Sequence, residues 1–305
     1  MSDTLQKTYQ QALYRRFEGM AGVHFEVHKD QLAVRVENQA ASGLVYLRGG
    51  LLASYQRHNQ APLIWSQPEQ KGRGGQPAGG VPVCWPWVGS LESNHLVIRR
   101  QVGVDIAEAN GCVGNRPWQL ESIEHLDPET TRIVLKLSQR DLPDKLWPLA
   151  TELQLSFIIG KRLQVRLEIE NQTPYPIYFT AALQSHFAIS AINNIEINGL
   201  ERMNYEDCDN SLNFGRQRGP LTIDKAINRI YHGTWAPLNI VDHGLRRAIF
   251  ISPEGSDSSI ISYASREQEL KAGDYLSFAT ANVGEDFILL KAYEKHALGY
   301  VVRLR

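Results

Sequence analysis

Apolar and polar residues alternate with a period of two over much of this chain, the spacing of β-strands that bury one face. The clearest stretch runs from Thr151 to Ile159, through Gly160-Lys161, and on from Arg162 to Glu170. Each arm sets Leu, Val, Ile or Phe on one side and charged or polar residues on the other, so the pair reads as a hairpin between a core and water. Residues 31–37 alternate in the same way, and 132–138 carries apolar and β-branched residues between turn signals. Further strands are predicted over 178–189, 194–197, 247–251, 258–262, 277–281 and 300–304, with no long helical period after residue 20. One segment differs. Leu5, Tyr9, Leu13 and Phe17 recur every four residues on a polar background, which predicts an amphipathic helix that docks on something larger and is ended by the two glycines of 18–22. The expected architecture is therefore all-β: an antiparallel β-sandwich over 23–305 as one domain, preceded by an N-terminal amphipathic helical extension over 1–22.

Composition narrows the function classes. The 305 residues are 43% hydrophobic and 21% charged, ample for a folded core. Lys and Arg number 32 against 33 Asp and Glu, a net charge of -1. That balance supplies no chain-wide attraction to nucleic acid or an anionic membrane, so the expected partner is a small molecule or a protein. No run of 18 apolar residues occurs and 1–16 has no signal-like apolar core, which predicts a soluble cytoplasmic protein. Cys84, Cys112 and Cys208 are odd in number and widely spaced, fitting a reducing compartment rather than a disulfide framework or a metal site. No His/Asp/Glu cluster has ligand spacing, so no metal is expected. Residues 70–80 contain five glycines and a proline. They read as a mobile surface connector; a backbone phosphate cradle is the alternative, but no helix start or Lys-Ser/Thr pair follows.

Several motifs follow one another along the chain: Gly49-Gly50-Leu51-Leu52-Ala53-Ser54-Tyr55, then Gly79-Gly80-Val81-Pro82-Val83-Cys84-Trp85-Pro86-Trp87-Val88-Gly89, then Asn115-Arg116-Pro117-Trp118-Gln119-Leu120. Trp147-Pro148, Ala182-Leu183-Gln184-Ser185-His186-Phe187, Asn198-Gly199-Leu200 and Asn228-Arg229-Ile230-Tyr231 follow. In this order the chain resembles the hexose-6-phosphate mutarotases (glucose-6-phosphate 1-epimerases) of the aldose 1-epimerase superfamily, over roughly residues 23 to 305. The resemblance implies a galactose mutarotase-like β-sandwich (a supersandwich) with a sugar cleft on a concave sheet, a carbohydrate or sugar phosphate as ligand, and no cofactor.

Anomer interconversion needs a base at the C1 hydroxyl and an acid at the ring oxygen, each worth roughly 10² to 10⁴ in rate. The resemblance puts the acid, a histidine in the family, at Gln184, and the base, a glutamate, at Ala279. Other departures accompany these. A family segment with histidine and arginine reads Asn110-Gly111-Cys112-Val113-Gly114 here, an arginine before the Gly-Gly pair is Ala78, and an aspartate is Asn228 beside a retained Arg229. Loss of arginines weakens a phosphate site in particular, because the guanidinium fork holds phosphate bidentately. His186, two residues from Gln184 on one strand face, is a possible substitute acid, or replaces only the hydrogen bonding of the family's tyrosine. No substitute base is apparent: Glu285 and Asp286 fall in a turn and read as solvated.

Asn110, Arg116, Gln184, His186, Asn228, Arg229 and Trp85 are thus the candidate ligand-binding positions. Trp85 and Trp87 lie two apart on an expected strand, where core or interface packing competes with stacking on a sugar. His95, Arg99 and Arg100 could form a basic flap or an ordinary surface loop. Three functions are open: an impaired family member with a binding cleft, an active 1-epimerase with a rearranged acid and base, or an interaction module with a vestigial cleft.

Overall fold

The computed structural model describes residues 3–71, 77–104, 107–208, 213–264 and 275–305. Among them the expected hairpin is present. Thr151–Ile159 pairs antiparallel with Arg162–Asn171, Leu155 opposite Leu167, and burial alternates residue by residue along Thr151–Ile159. This hairpin lies inside an eight-stranded sheet whose order is Ile195–Asn198, Leu238–Asp242, Arg247–Glu254, Lys295–Leu304, Arg162–Asn171, Thr151–Ile159, Thr130–Ser138 and Gln119–Asp127. A seven-stranded sheet runs Asn213–Arg216, Asn204–Asp207, Ile227–His232, Ser258–Tyr263, Tyr275–Asn282, Ala181–Ala188 and Val83–Cys84. Val23–His28, Gln31–Glu37, Ala41–Tyr46 and Leu51–Arg57 form a four-stranded meander, and Ile177–Phe179 with Ile288–Leu290 and Ser66–Lys71 with Pro77–Gly79 form two short pairs.

The two large sheets share one apolar core that reaches from Leu13 to Leu304. Leu183, Phe187, Leu276 and Phe278 enter it from the seven-stranded sheet and Leu163, Val165, Leu298 and Val302 from the eight-stranded one, all essentially without exposure. Burial of such side chains is worth about 1.5–3 kcal/mol each, so this contact is the main source of stability. A hydrogen bond crosses the same core: the hydroxyls of Ser185 and Tyr300 lie 2.6 Å apart.

The architecture expected from the sequence needs correction on two counts. The strands described here are shared among five antiparallel sheets rather than gathered into the two layers of a closed sandwich. The reason is visible at Thr180, where the single strand expected over 178–189 breaks into Ile177–Phe179 and Ala181–Ala188 in different sheets. Thr180 donates its hydroxyl to Asn94 Oδ1 (2.6 Å) and accepts from the Val88 amide (2.9 Å), so it serves a neighbouring loop instead of continuing a ladder. The second correction concerns the N-terminal helix. It spans Asp3–Arg16, but it presents no continuous apolar stripe. Leu13 is buried, Tyr9 is half-buried, and Phe17 lies beyond the helix end. Polar groups hold it as much as packing does: the Tyr9 hydroxyl accepts from the Leu120 amide (2.9 Å) and Arg16 Nη2 donates to the Glu121 carbonyl (2.7 Å). Among the described residues, no helix is long and apolar enough to cross a membrane.

Candidate functional site

The motif strand Ala181–Ala188 lies between Val83–Cys84 and Tyr275–Asn282 in the seven-stranded sheet. Its odd residues Leu183, Ser185 and Phe187 face the core, so its even residues Ala182, Gln184 and His186 share the other face. Paired residues of adjacent strands project to the same side, and this carries the face across the sheet in rows. Gln184 is opposite Ala279, Ala279 opposite Ile260, Ile260 opposite Ile230, and Ile230 opposite Glu206. The next row toward the start of the Tyr275–Asn282 strand is polar: His186, Ser277, Ser262 and Asn228. On the other side of the central row stand Ala182, Ala281, Ser258 and His232.

The central row, which ends at Glu206, carries an amide and a methyl group where the resemblance puts proton-transfer groups. Gln184 Nε2 donates to Ser277 Oγ at 2.9 Å. Ala279 is buried in a small cluster with Cys84, Ala182, Ala281 and Val283, against which Val88, Ile230 and Ile260 pack. A carboxamide and a methyl group neither give nor take a proton at neutral pH.

His186 is firmly placed beside this row. Its Nδ1 lies 2.9 Å from the Gly80 carbonyl, and a carbonyl only accepts, so Nδ1 carries the hydrogen. The ring meets Tyr275 edge-on at 5.2 Å and Trp65 at 6.3 Å, while Trp65 and Tyr275 stack at 4.1 Å. The Gly79-Gly80 pair makes this wall possible. Gly79 has φ +87°, and a Cβ there would come within 2.5 Å of the Trp65 ring, so the glycine is required by aromatic packing. The middle of the glycine-rich connector, residues 72–76, lies outside the described residues; its flanks form the strand pair Ser66–Lys71 and Pro77–Gly79.

Further titratable groups lie near the far row, at the outer end of the central row, and on the neighbouring sheet. Asp286 Oδ2 accepts from the Asp257 amide (3.0 Å), Asn282 Nδ2 (3.1 Å) and Ser258 Oγ (3.3 Å). It is half-buried rather than solvated, and burial pushes its carboxyl above the usual aspartate range. His232 Nε2 lies 3.0 Å from Glu206 Oε1. His296, bonded to Asn282 at 3.1 Å, is pulled below the ordinary histidine range by burial.

The structure therefore brings Gln184, His186, Ala279 and Asn228 onto one face and leaves the remaining candidates elsewhere. Arg229 is one residue from Asn228 and projects to the opposite side, its Nε 3.6 Å from Asp207 and its guanidinium 4.4 Å over the Tyr205 ring. Trp85 is not on a strand, which ends at Cys84; it is fully buried against Trp147 (5.0 Å) and Phe179 (6.3 Å). Asn110 closes a turn, with φ +64° and its Oδ1 accepting from the Gly89 amide at 2.7 Å. Arg116 lies in the turn before Gln119–Asp127, with its carbonyl bonded to the Gly49 amide at 2.6 Å and its Nε buried without a hydrogen-bond partner. Arg99 and Arg100 are exposed, and their segment is tethered by the Gln101 amide, which bonds Tyr178 backbone on both sides, and by His95 stacked on Phe287 at 5.1 Å. Sequence reading missed Trp65, Tyr275 and Ser277. Ser277 and Tyr275 are two and four residues from Ala279, so the same period-two rule could have found them. Among the described residues, no group of three or more His, Cys, Asp or Glu could hold a metal ion.

Comparison with known proteins gives consistent relatives. The aldose 1-epimerase family model matches residues 33–297. A candidate glucose-6-phosphate 1-epimerase of Escherichia coli K12 is 26% identical over 206 residues, and one of Cenchrus ciliaris is 23% identical over 234. These alignments cover 67% and 71% of this chain, which spans 65% of the length of each relative. Among solved structures, a candidate mutarotase of Salmonella typhimurium superposes with a TM-score of 0.80 at 19% identity, covering 96% of this chain and 99% of that one. A galactose mutarotase-like protein of Clostridium acetobutylicum gives 0.76 at 12% identity, covering 93% and 98%. At these identities the structural likeness is one of fold.

Proposed function

Since the chain belongs to the aldose 1-epimerase family, we propose that the Gln184 face is a carbohydrate-binding cleft in which the 1-epimerase reaction is impaired. The observation that carries this reading is the central row, where Gln184 stands opposite Ala279 and both are followed by isoleucines. Ring opening removes a proton from O1 and delivers one to O5, two oxygens on the same carbon, so acid and base must reach one point from two sides. The nearest substitutes do not converge. His186 is level with Ser277 and Asp286 is bonded at Ser258, level with Ala281. Those rows are four residues apart on one strand, about 13 Å at the rise of a β-strand. One group alone retains at most a single proton-transfer contribution.

The polar row of His186, Ser277, Ser262 and Asn228, beside the Trp65–Tyr275 wall, supports retained binding, since sugars are held by hydroxyl partners and a flat ring face. The missing arginine at Ala78 and the orientation of Arg229 favour an unphosphorylated sugar over a phosphorylated one. The three cysteines are thiols, which supports a reducing compartment such as the cytoplasm.

The test is anomer exchange followed by NMR with glucose, galactose and glucose 6-phosphate, using wild type, His186→Gln and the restored pair Gln184→His/Ala279→Glu. The expected result is no acceleration over buffer by wild type and acceleration by the restored pair. Wild-type acceleration that His186→Gln abolishes would overturn the reading and make His186 the working acid.

A further inference from the structure

The outer edge of the seven-stranded sheet carries a feature that the sugar-cleft reading does not use. A groove of about 500 Å³ is lined by Arg202, Arg216, Gln217 and Arg218. Its arginines sit on backbone that is tied together. Arg202, in a left-handed conformation (φ +68°), donates its amide to the Gln217 carbonyl (2.7 Å) and accepts from Arg216 Nε (2.9 Å). The Gln217 amide donates to the Met203 carbonyl at 2.9 Å. The Gln217 side chain accepts from the Tyr231 hydroxyl at 3.0 Å and donates to the Gly219 carbonyl at 2.9 Å. Three arginines thus line one concavity from a braced support. Among the described residues, none of the three forms an ion pair with a carboxylate. Neighbouring like charges repel, and concave walls concentrate their field, so the arrangement is stabilised by a bound anion.

Arginine sets the class of anion. Its planar fork matches the paired oxygens of a phosphate, and Arg216 commits only its Nε to the protein, leaving its terminal nitrogens outside that bond. Phe214, two residues before Arg216 and on the same strand face, is 70% exposed and offers an apolar plate beside the charges. The groove lies on the same sheet face, Phe214 standing opposite Glu206, but it is remote from Gln184. Asn213–Arg216 is five strands from Ala181–Ala188, about 24 Å at ordinary strand spacing, which is several sugar rings wide. We propose that the Arg202–Arg216–Arg218 groove is a separate anion site that takes a phosphate ester or diphosphate, with Phe214 covering the organic part.

Isothermal titration calorimetry with inorganic pyrophosphate tests this on the full chain. Wild type should bind saturably, and more weakly as salt is raised. Arg202→Gln/Arg218→Gln should weaken binding at least tenfold with an unchanged far-UV circular dichroism spectrum, and Arg218→Gln alone, at an exposed position, at least threefold. Gln184→Ala should leave pyrophosphate binding unaltered, which separates this site from the sugar cleft. No saturable binding by wild type, binding that Arg218→Gln and the double variant retain in full, or binding lost in Gln184→Ala would each overturn the proposal.

Discussion

The hydrogen bond between Ser185 and Tyr300 is a fully buried polar tie between the two large sheets, and a double-mutant cycle measures it. Both residues are essentially without exposure, and their hydroxyls are 2.6 Å apart. Burial holds the Tyr300 phenol well above its usual range, so the bond joins two neutral groups at any working pH. Tyr300→Phe leaves the Ser185 hydroxyl in the core without its partner, a cost of about 1–3 kcal/mol. Ser185→Ala strands the phenol instead, at a similar ~1–3 kcal/mol. The double variant replaces both polar groups by apolar ones of nearly the same shape and should cost much less than the sum, leaving a coupling of about 1–2 kcal/mol. Urea unfolding followed by tryptophan fluorescence, with unchanged slope, gives the four stabilities. Additivity within about 0.5 kcal/mol would refute the reasoning, because independent sites behave that way. Ser185 sits between Gln184 and His186, so the same bond fixes the register that presents those two side chains on the opposite face.

Two further predictions rest on buried charge. Arg247 donates from Nη1 to the carbonyls of Ala61 (3.1 Å) and Pro62 (3.0 Å) and from Nη2 to that of Ala188 (2.5 Å), clamping a loop to the end of the His186 strand. Arg247→Met should cost about 2–4 kcal/mol in the same unfolding assay, with Arg247→Lys recovering less than half because an ammonium lacks the fork; a loss below about 1 kcal/mol would refute the clamp. Asp286 has a folded pKa raised by burial, so the native state holds its proton more tightly than the unfolded chain. Its contribution is therefore favourable below the unfolded aspartate pKa of about 3.9 and is lost as pH rises through the folded value. Asp286→Asn should accordingly be neutral to stabilising at pH 7 and lose that advantage on acidification toward pH 3.5, and a variant less stable at pH 7 than at pH 4 relative to wild type would contradict this sign.

How far the chain could be read from its sequence depended on whether a residue's neighbours are local. The 151–171 hairpin was legible because its alternation, its two-residue turn and its partner strand all lie within one short stretch. The helix register was half legible: a four-residue spacing gave its extent, but whether Tyr9 and Leu13 meet a core depends on Leu120 and the sheet beyond it, over a hundred residues away. The break at Thr180 was invisible for the same reason, since Asn94 and Val88 decide it. Arg229 marks the opposite failure. Its adjacency to Asn228 suggested a shared role, yet in a strand neighbours face opposite ways, and only the pairing of Asp207 with Arg229 reveals which side it takes. Ser185, a small polar residue in an apolar alternation, gave no hint of Tyr300.

The surroundings of Ala279 bear on why its row lost its proton chemistry as a unit, on the proposed reading. A glutamate at that position would enter a cluster of Cys84, Ala182, Ala281 and Val283 with Ile230 and Ile260 alongside. Such a setting disfavours the ionised form and raises a carboxyl pKa. A base must be ionised to accept the O1 proton, so the restored glutamate works best above its raised pKa, and the restored pair should show activity that climbs with pH across the neutral range. Gln184 adds a second condition. It now satisfies Ser277 Oγ at 2.9 Å, and a histidine there can make the same contact only by committing one ring nitrogen to the serine, leaving the other for the sugar. The serine thus fixes a tautomer in the restored enzyme where it merely holds an amide in the present one. On the proposed reading, both positions now suit their local packing, a methyl group among isoleucines at 279 and an amide beside a hydroxyl at 184, and neither supplies the proton transfer that the other would need.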